Sequence, residues 1–187
     1  MFGDIARFLL STIFTLYGAA LLLRAWLQFV RVPAYNAVSH AVQQVTNWLV
    51  LPLRRIIPGF RGIDWASIVA ALLAAIVYVL LAVWLAGIDP FGALPTLALV
   101  AVLTVVKWAL NLLIWLTILM ALLSWLNPNS PAMPVLFQLT APFLNPLRRI
   151  LPQLGGLDLS PILLFVIVQV LLMVVTRAAV SLTLFGI

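Results

Sequence analysis

Four long apolar runs, separated by shorter stretches in which polar residues recur at helical spacing, set the pattern of this chain. The runs predict membrane-spanning helices at about 8–29, 65–86, 108–126 and 159–184, each near the ~20 apolar residues that cross a ~30 Å hydrocarbon layer. Two stretches between them have another character. Over about 35–50, Val38, Val42, Val45 and Leu49 fall on one helical face and Asn36, His40, Gln43 and Asn47 on the opposite one. Over about 131–144, Val135, Leu136, Leu139 and Phe143 oppose Gln138 and, just beyond, Asn145. Both predict short amphipathic helices, and their low charge between two spans suits a position in the membrane interface. The third apolar run begins as early as Leu94, longer than one span needs, so 94–106 reads as an extra interfacial or steeply tilted segment.

The stops and starts agree with these elements. Val32-Pro33 closes the first span, because proline lacks the N–H a helix needs and restrains the residue before it. Arg24, near that end, reads as a cation snorkelling to the interface beside Arg31. Asp64 is placed to cap the second span and Asp158 or Ser160, followed by Pro161, the fourth. Arg7 ahead of Phe8–Leu23 has the look of a signal peptide, but Arg24 and Arg31 follow as a stop-transfer pattern, so the segment is expected to be retained.

A short motif occurs twice. Pro52-Leu53-Arg54-Arg55-Ile56-Ile57-Pro58 returns as Pro146-Leu147-Arg148-Arg149-Ile150-Leu151-Pro152. Arg54 and Arg148, Gly62 and Gly156, and Asp64 and Asp158 are all 94 positions apart, and eight of thirteen residues are identical between 52–64 and 146–158. Self-similarity at a fixed offset marks an internal repeat. The units are 1–92 and 93–187, each reading span, interfacial helix, Pro-Leu-Arg-Arg-x-x-Pro, Gly-x-Asp, span. An even number of crossings per unit makes them parallel, with both motifs on one side of the membrane.

Composition confirms the class. Hydrophobic residues make up 66% of the 187 and charged residues 7%, against about half and a quarter in soluble domains. The alternating strands of a membrane β-barrel are absent, so the fold class is an all-α membrane protein of four transmembrane helices in two parallel tandem repeats. The cations Arg31, Arg54, Arg55, Arg61, Arg148 and Arg149 share the motif side, which the positive-inside rule makes cytoplasmic, with both termini outside. In a bacterium, that describes a multi-pass inner-membrane protein with periplasmic termini. There is no cysteine, which excludes disulfides, thiolate catalysis and thiolate metal sites.

Candidate chemistry is sparse. Arg54, Arg55, Arg148, Arg149 and Arg61 form a candidate surface for anionic phospholipid or an acidic partner, each membrane-proximal cation contributing about 1 kcal/mol near an anionic leaflet. Pro52, Pro58, Gly62, Asp64, Pro146, Pro152, Gly156 and Asp158 are its structural frame, with helix capping the first role of the two aspartates and pairing with the arginines a second. Lys107, Asn111 and Arg177 are a candidate intramembrane polar site, although snorkelling accounts for the two cations. His40 has no neighbouring histidine or carboxylate at ligand spacing, so no metal or haem is expected. Trp26, Trp65, Trp84, Trp108 and Trp125 stand where an aromatic belt would place them. They do not form a base-stacking surface, and direct nucleic-acid binding is not expected.

At the doubled motif the chain resembles the YggT (YlmG-like) family of small membrane proteins. Tandem Pro-x-x-Arg-Arg-x-x-Pro followed by Gly-x-Asp carries the resemblance, with Trp125-Leu126-Asn127-Pro128 and Thr140-Ala141-Pro142 matching the family in the second unit; Gln43-Gln44-Val45-Thr46 departs from it in the first. The resemblance implies links to osmotic tolerance, division and envelope organisation, and in plastids to nucleoid arrangement and cytochrome complex assembly, and it implies no enzymatic activity or cofactor. Two functions follow as expectations. One is a non-enzymatic organising or assembly factor whose arginine-rich segments meet anionic lipid, other membrane proteins or a second copy. The other is a channel or transporter component acting as an oligomer in osmoadaptation. No small-molecule substrate is identified, and the spans lack the run of polar residues that would line a pore.

Overall fold

Among the described residues six helices follow one another: α1 (Phe2–Phe29), α2 (Ala37–Ile56), α3 (Trp65–Leu85), α4 (Leu94–Leu126), α5 (Met133–Ile150) and α6 (Ser160–Gly186). The computed structural model describes residues 2–33, 36–60, 62–89, 94–150 and 158–186. Among these, α1, α3, α4 and α6 are long and apolar enough to cross a membrane. Arg61, Pro152 and Gly156 of the doubled motif lie outside the described residues.

The helix boundaries differ from the sequence expectation in two instructive places. The third span is not preceded by a separate segment at 94–106: α4 is one helix of 33 residues, roughly 50 Å long and therefore longer than the hydrocarbon layer is thick. Packing decides this. Leu97, Val100, Ala101 and Thr104 are buried, and they belong with α3, whose Ala66, Ala70, Ala71, Ala74, Ala75 and Val79 form a stripe of small residues that admits a neighbouring helix closely. Trp108 is for the same reason not a belt residue. It lies 3% exposed in the interior, against Gly18 of α1, where an added Cβ would overlap the indole ring.

The second difference concerns the amphipathic helices. They do not end at 50 and 144 but run on through the arginine pairs, so that Arg54-Arg55 and Arg148-Arg149 form the last turns of α2 and α5. Pro52, Pro142 and Pro146 are carried inside these helices. All three are exposed, so the carbonyls freed by the missing N–H groups lie on an outward face rather than in the core. The buried stripe of α2 runs along the edge of the predicted apolar face, whose Val38, Val42 and Leu49 pack against the cores. Ser39, Thr46 and Val50 are buried while Val45 is 55% and Trp48 68% exposed.

Chain reversals follow known helix-end chemistry. α1 stops in a turn with Arg31 at φ 57°, the Val32 N–H reaching the Leu27 carbonyl and the Arg31 N–H the Gln28 carbonyl, the paired bonds of a left-handed C-cap. At the other end of the bundle, Arg7 donates to the Leu85 carbonyl at the C-terminus of α3, where a cation complements the helix dipole. Two cores result. One joins α1, α3 and the first half of α4; the other joins α1, the second half of α4, α5 and α6. α1 serves both, and the Gln138 side chain donates to the Val30 carbonyl while Trp26 meets Phe143 at 5.1 Å, tying α5 to the first repeat.

Candidate functional site

The doubled motif is a device for folding an arginine back onto an aspartate ten residues later. α2 ends at Ile56, Pro58 follows, and Phe60 and Ile63 pair across a tight turn in which Gly62 takes φ 81°, a conformation that glycine adopts without a Cβ penalty. The next residue but one, Asp64, is the N-cap of α3 and accepts from the Ser67 N–H at 3.3 Å. The turn leaves the Arg54 Nη2 2.6 Å from Asp64 Oδ2. In the second repeat the same spacing puts Arg148 Nε 2.8 Å from Asp158 Oδ2, and Asp158 accepts from the Ser160 N–H at 2.9 Å.

Within the first repeat this pair is part of a larger cluster. Asp64 is completely buried, and its Oδ2 also accepts from the Ser67 hydroxyl at 2.8 Å. The Nε of Arg24 stands 3.6 Å from the same oxygen. Arg24 is 7% exposed, with Nη1 donating to Thr46 Oγ1 at 2.8 Å and to Asn47 Oδ1 at 2.9 Å. Thr46 can accept because its own hydroxyl proton goes to the Val42 carbonyl. Gln28 completes the set, its Oε1 accepting from Arg54. The snorkelling expected of Arg24 is thus corrected: it turns inward, because an aspartate and two polar side chains of α2 supply in the interior what headgroup water would supply outside.

The second repeat lacks this cluster. Thr140 stands 94 positions after Thr46 and is likewise buried, but its neighbour on the preceding span is Met120, whose Sδ lies 3.1 Å from the Thr140 hydroxyl. Its hydroxyl donates to the Leu136 carbonyl, as that of Thr46 does to Val42, and no arginine stands beside it among the described residues. Asp158 is 42% exposed in its side chain, and Arg148 36%. Partial burial pushes the Asp158 carboxyl upward, but the hydrogen bonds from Ser160 and Arg148 outweigh it and hold the group below the usual carboxylate range.

The candidate arginines therefore divide by role. Arg54 and Arg148 turn back to aspartates; Arg55 and Arg149 are exposed on the last turns of α2 and α5. Of the candidate intramembrane residues, Asn111 Nδ2 donates to the Lys107 carbonyl one turn earlier on α4, and Arg177 is exposed on α6. His40 is exposed on α2. The residues that sequence reasoning passed over are Arg24, Gln28, Thr46, Asn47 and Ser67. One signal was available, an arginine well inside an apolar run with no cation at the equivalent place in the second repeat.

The comparisons fit this architecture. The CCB3/YggT family profile matches residues 4–85 and 99–179, one segment for each repeat. The YggT protein of Escherichia coli strain K12 is 40% identical over 165 residues, which is 88% of this chain and 85% of that protein. The PA0392 protein of Pseudomonas aeruginosa is 38% identical over 180 residues, 95% of this chain and 91% of its own length. A Vibrio alginolyticus protein named for the proC 3′ region is 37% identical over 163 residues, 87% and 88% of the two chains. No solved structure matches. With its two repeats of span, motif and span each covered by the family profile, the chain belongs to the CCB3/YggT family.

Proposed function

We propose that this protein is a non-enzymatic organising or assembly factor of the bacterial inner membrane, which holds two arginine-bearing helix ends at the cytoplasmic headgroups to engage anionic lipid or a partner complex. The observation that carries the reading is the repeated division of labour in each Arg-Arg pair. The first arginine is tied to the aspartate that opens the next span, which fixes the helix end, and the second is left exposed beside it. A pair serving orientation alone would need only charge, whereas this arrangement fixes where the charge stands. Arg55 and Arg149 together would contribute about 2 kcal/mol toward an anionic surface, enough to bias lipid or partner contacts and too little to define a ligand alone.

Bacterial relatives and the positive-inside rule support the cytoplasmic placement of this side, with the start of α1 and the end of α6 toward the periplasm. The test is the double variant Arg55→Gln, Arg149→Gln, purified in mild detergent. Its co-purifying phosphatidylglycerol and its co-purifying partner proteins should both fall while insertion is unchanged. Undiminished recovery of both would remove the reading, and selective ion flux through proteoliposomes would replace it with the channel reading.

A further inference from the structure

Next to the buried cluster lies a cavity of about 380 Å3 between α1, the turn after it and α2. Its polar lining consists of Arg24, Gln28, Ser39, Gln43, Asn47 and Arg54, and no carboxylate is among the described residues that line it. Asp64 stands behind the two guanidiniums, so two positive charges meet one negative charge at this wall.

The hydrogen bonds of the cluster are polarised in one direction. Asn47 Oδ1 and Gln28 Oε1 are consumed as acceptors by Arg24 and Arg54. Their NH2 groups and the Nη2 of Arg24 are then left as donors without an acceptor among the described residues. Arg24 is more than nine-tenths buried and lines the cavity, so a ligand there would meet a guanidinium largely withdrawn from bulk water. An excess of one positive charge, several spare donors and no acceptor charge describe a site for an oxyanion, and guanidinium forks match phosphate oxygens in geometry as well as charge.

We propose that this cavity is a phosphate-binding site present in the first repeat alone, which takes the phosphodiester of one anionic phospholipid. Leu27, Val42 and Leu51 extend the lining with apolar surface, which suits a lipid better than a free ion. The second repeat lacks the side chains for the site: Arg24, Gln28, Gln43 and Asn47 are matched, 94 positions on, by Ile118, Leu122, Phe137 and Ala141. The proposal shares with the function above only the placement of this side at the headgroups; Arg55 and Arg149 take no part in it.

Native mass spectrometry of the detergent-purified protein with dihexanoylphosphatidylglycerol provides the test, with dihexanoylphosphatidylcholine and inorganic phosphate as parallel probes. The wild type should hold one molecule of the anionic lipid in preference to the zwitterionic one. Arg24→Met, which removes the charge and keeps a long unbranched side chain, should weaken that binding by about tenfold or more, the worth of one charge-assisted contact. Gln43→Glu keeps the side-chain volume and leaves the buried cluster untouched, yet puts a negative charge at the cavity wall, and it should weaken binding by a similar factor; it decides the matter if Arg24→Met does not fold. Arg55→Gln with Arg149→Gln should leave the single bound lipid in place. Competition by inorganic phosphate as effective as by the short-chain lipid would support the oxyanion site and assign it to free phosphate. Equal binding of the two lipids by the wild type, or full retention by Gln43→Glu, would overturn the proposal. Loss in the Arg55 and Arg149 variant with retention in Gln43→Glu would overturn it while leaving the surface role standing.

Discussion

The two repeats carry the same motif and use it at different depths. Arg54–Asp64 closes over a carboxylate with no exposed surface, joined by Arg24, Thr46, Asn47 and Ser67; Arg148–Asp158 closes in the open, with the carboxylate 42% exposed. The motif therefore specifies a local fold, an arginine returned to a helix cap, and leaves the surroundings to the rest of the chain. What converts one copy into a buried ionic cluster is a set of polar side chains the other lacks: Arg24, Gln28, Asn47 and Ser67 of the first unit are matched, 94 positions on, by Ile118, Leu122, Ala141 and Pro161. A buried ion pair is a doubtful source of stability, since desolvation offsets most of its attraction, but breaking one partner leaves a stranded charge. The first repeat is thus the more fragile of the two toward single substitutions, and the asymmetry suits a unit that has been specialised for binding.

The largest effect expected from this difference is that of Asp64→Ala. It leaves Arg24 buried without its carboxylate and should cost about 3–5 kcal/mol in SDS-titrated unfolding from mixed micelles. Combining Arg24→Met with Asp64→Asn removes both charges, and should recover most of that loss. A double variant as unstable as Asp64→Ala would show that the cluster acts through something other than charge pairing.

A second contrast concerns the crossing of the repeats. Gly18 gives Trp108 its place, whereas the second repeat carries the bulky Leu112–Leu116 in the matching part of its first span. Gly18→Leu should destabilise the protein by about 1–3 kcal/mol through overpacking, read by the same unfolding titration. Because it acts through packing, its effect should survive in the Arg24→Met, Asp64→Asn background.

Asp158→Ala, the counterpart of the first variant, should cost no more than about 1 kcal/mol, as partly exposed ion pairs do. A loss equal to that of Asp64→Ala would erase the comparison. The smallest effect is one of pH. The Asp158 carboxyl sits below its ordinary value, near 3.9, so the stability it lends is fully present above that pH and is lost only as pH falls through the lower folded value. Carboxyl carbon chemical shifts should report that lowered midpoint, and Arg148→Gln should move it upward.

Much of this protein was legible from local pattern. Apolar run length predicts four spans, polar spacing predicts two short helices between them, and the fixed offset of the Arg-Arg motif predicts the repeat. The capping of α3 by Asp64 was legible too, because a cap depends on neighbours three residues away. Three features were not. The extent of α4 depends on the small-residue face of α3; the inward placement of Thr46 depends on the arginine buried beside it; and the depth of Trp108 depends on a glycine 90 residues earlier in the chain.

Hydropathy and the fixed offset of the motif, read along the chain alone, determined that this is a helical membrane protein built from a repeated unit. They are sufficient because the cost of a polar backbone or a charge in hydrocarbon is set residue by residue. The tertiary structure alone decided, among the described residues, which arginines face outward, which one is buried, and that Arg24, Gln28 and Asn47 meet at the wall of a cavity. Those outcomes rest on side chains 22 to 40 positions apart, from Arg24 to Thr46 and on to Asp64, that meet only after α2 has folded across α1, and no local pattern encodes that meeting.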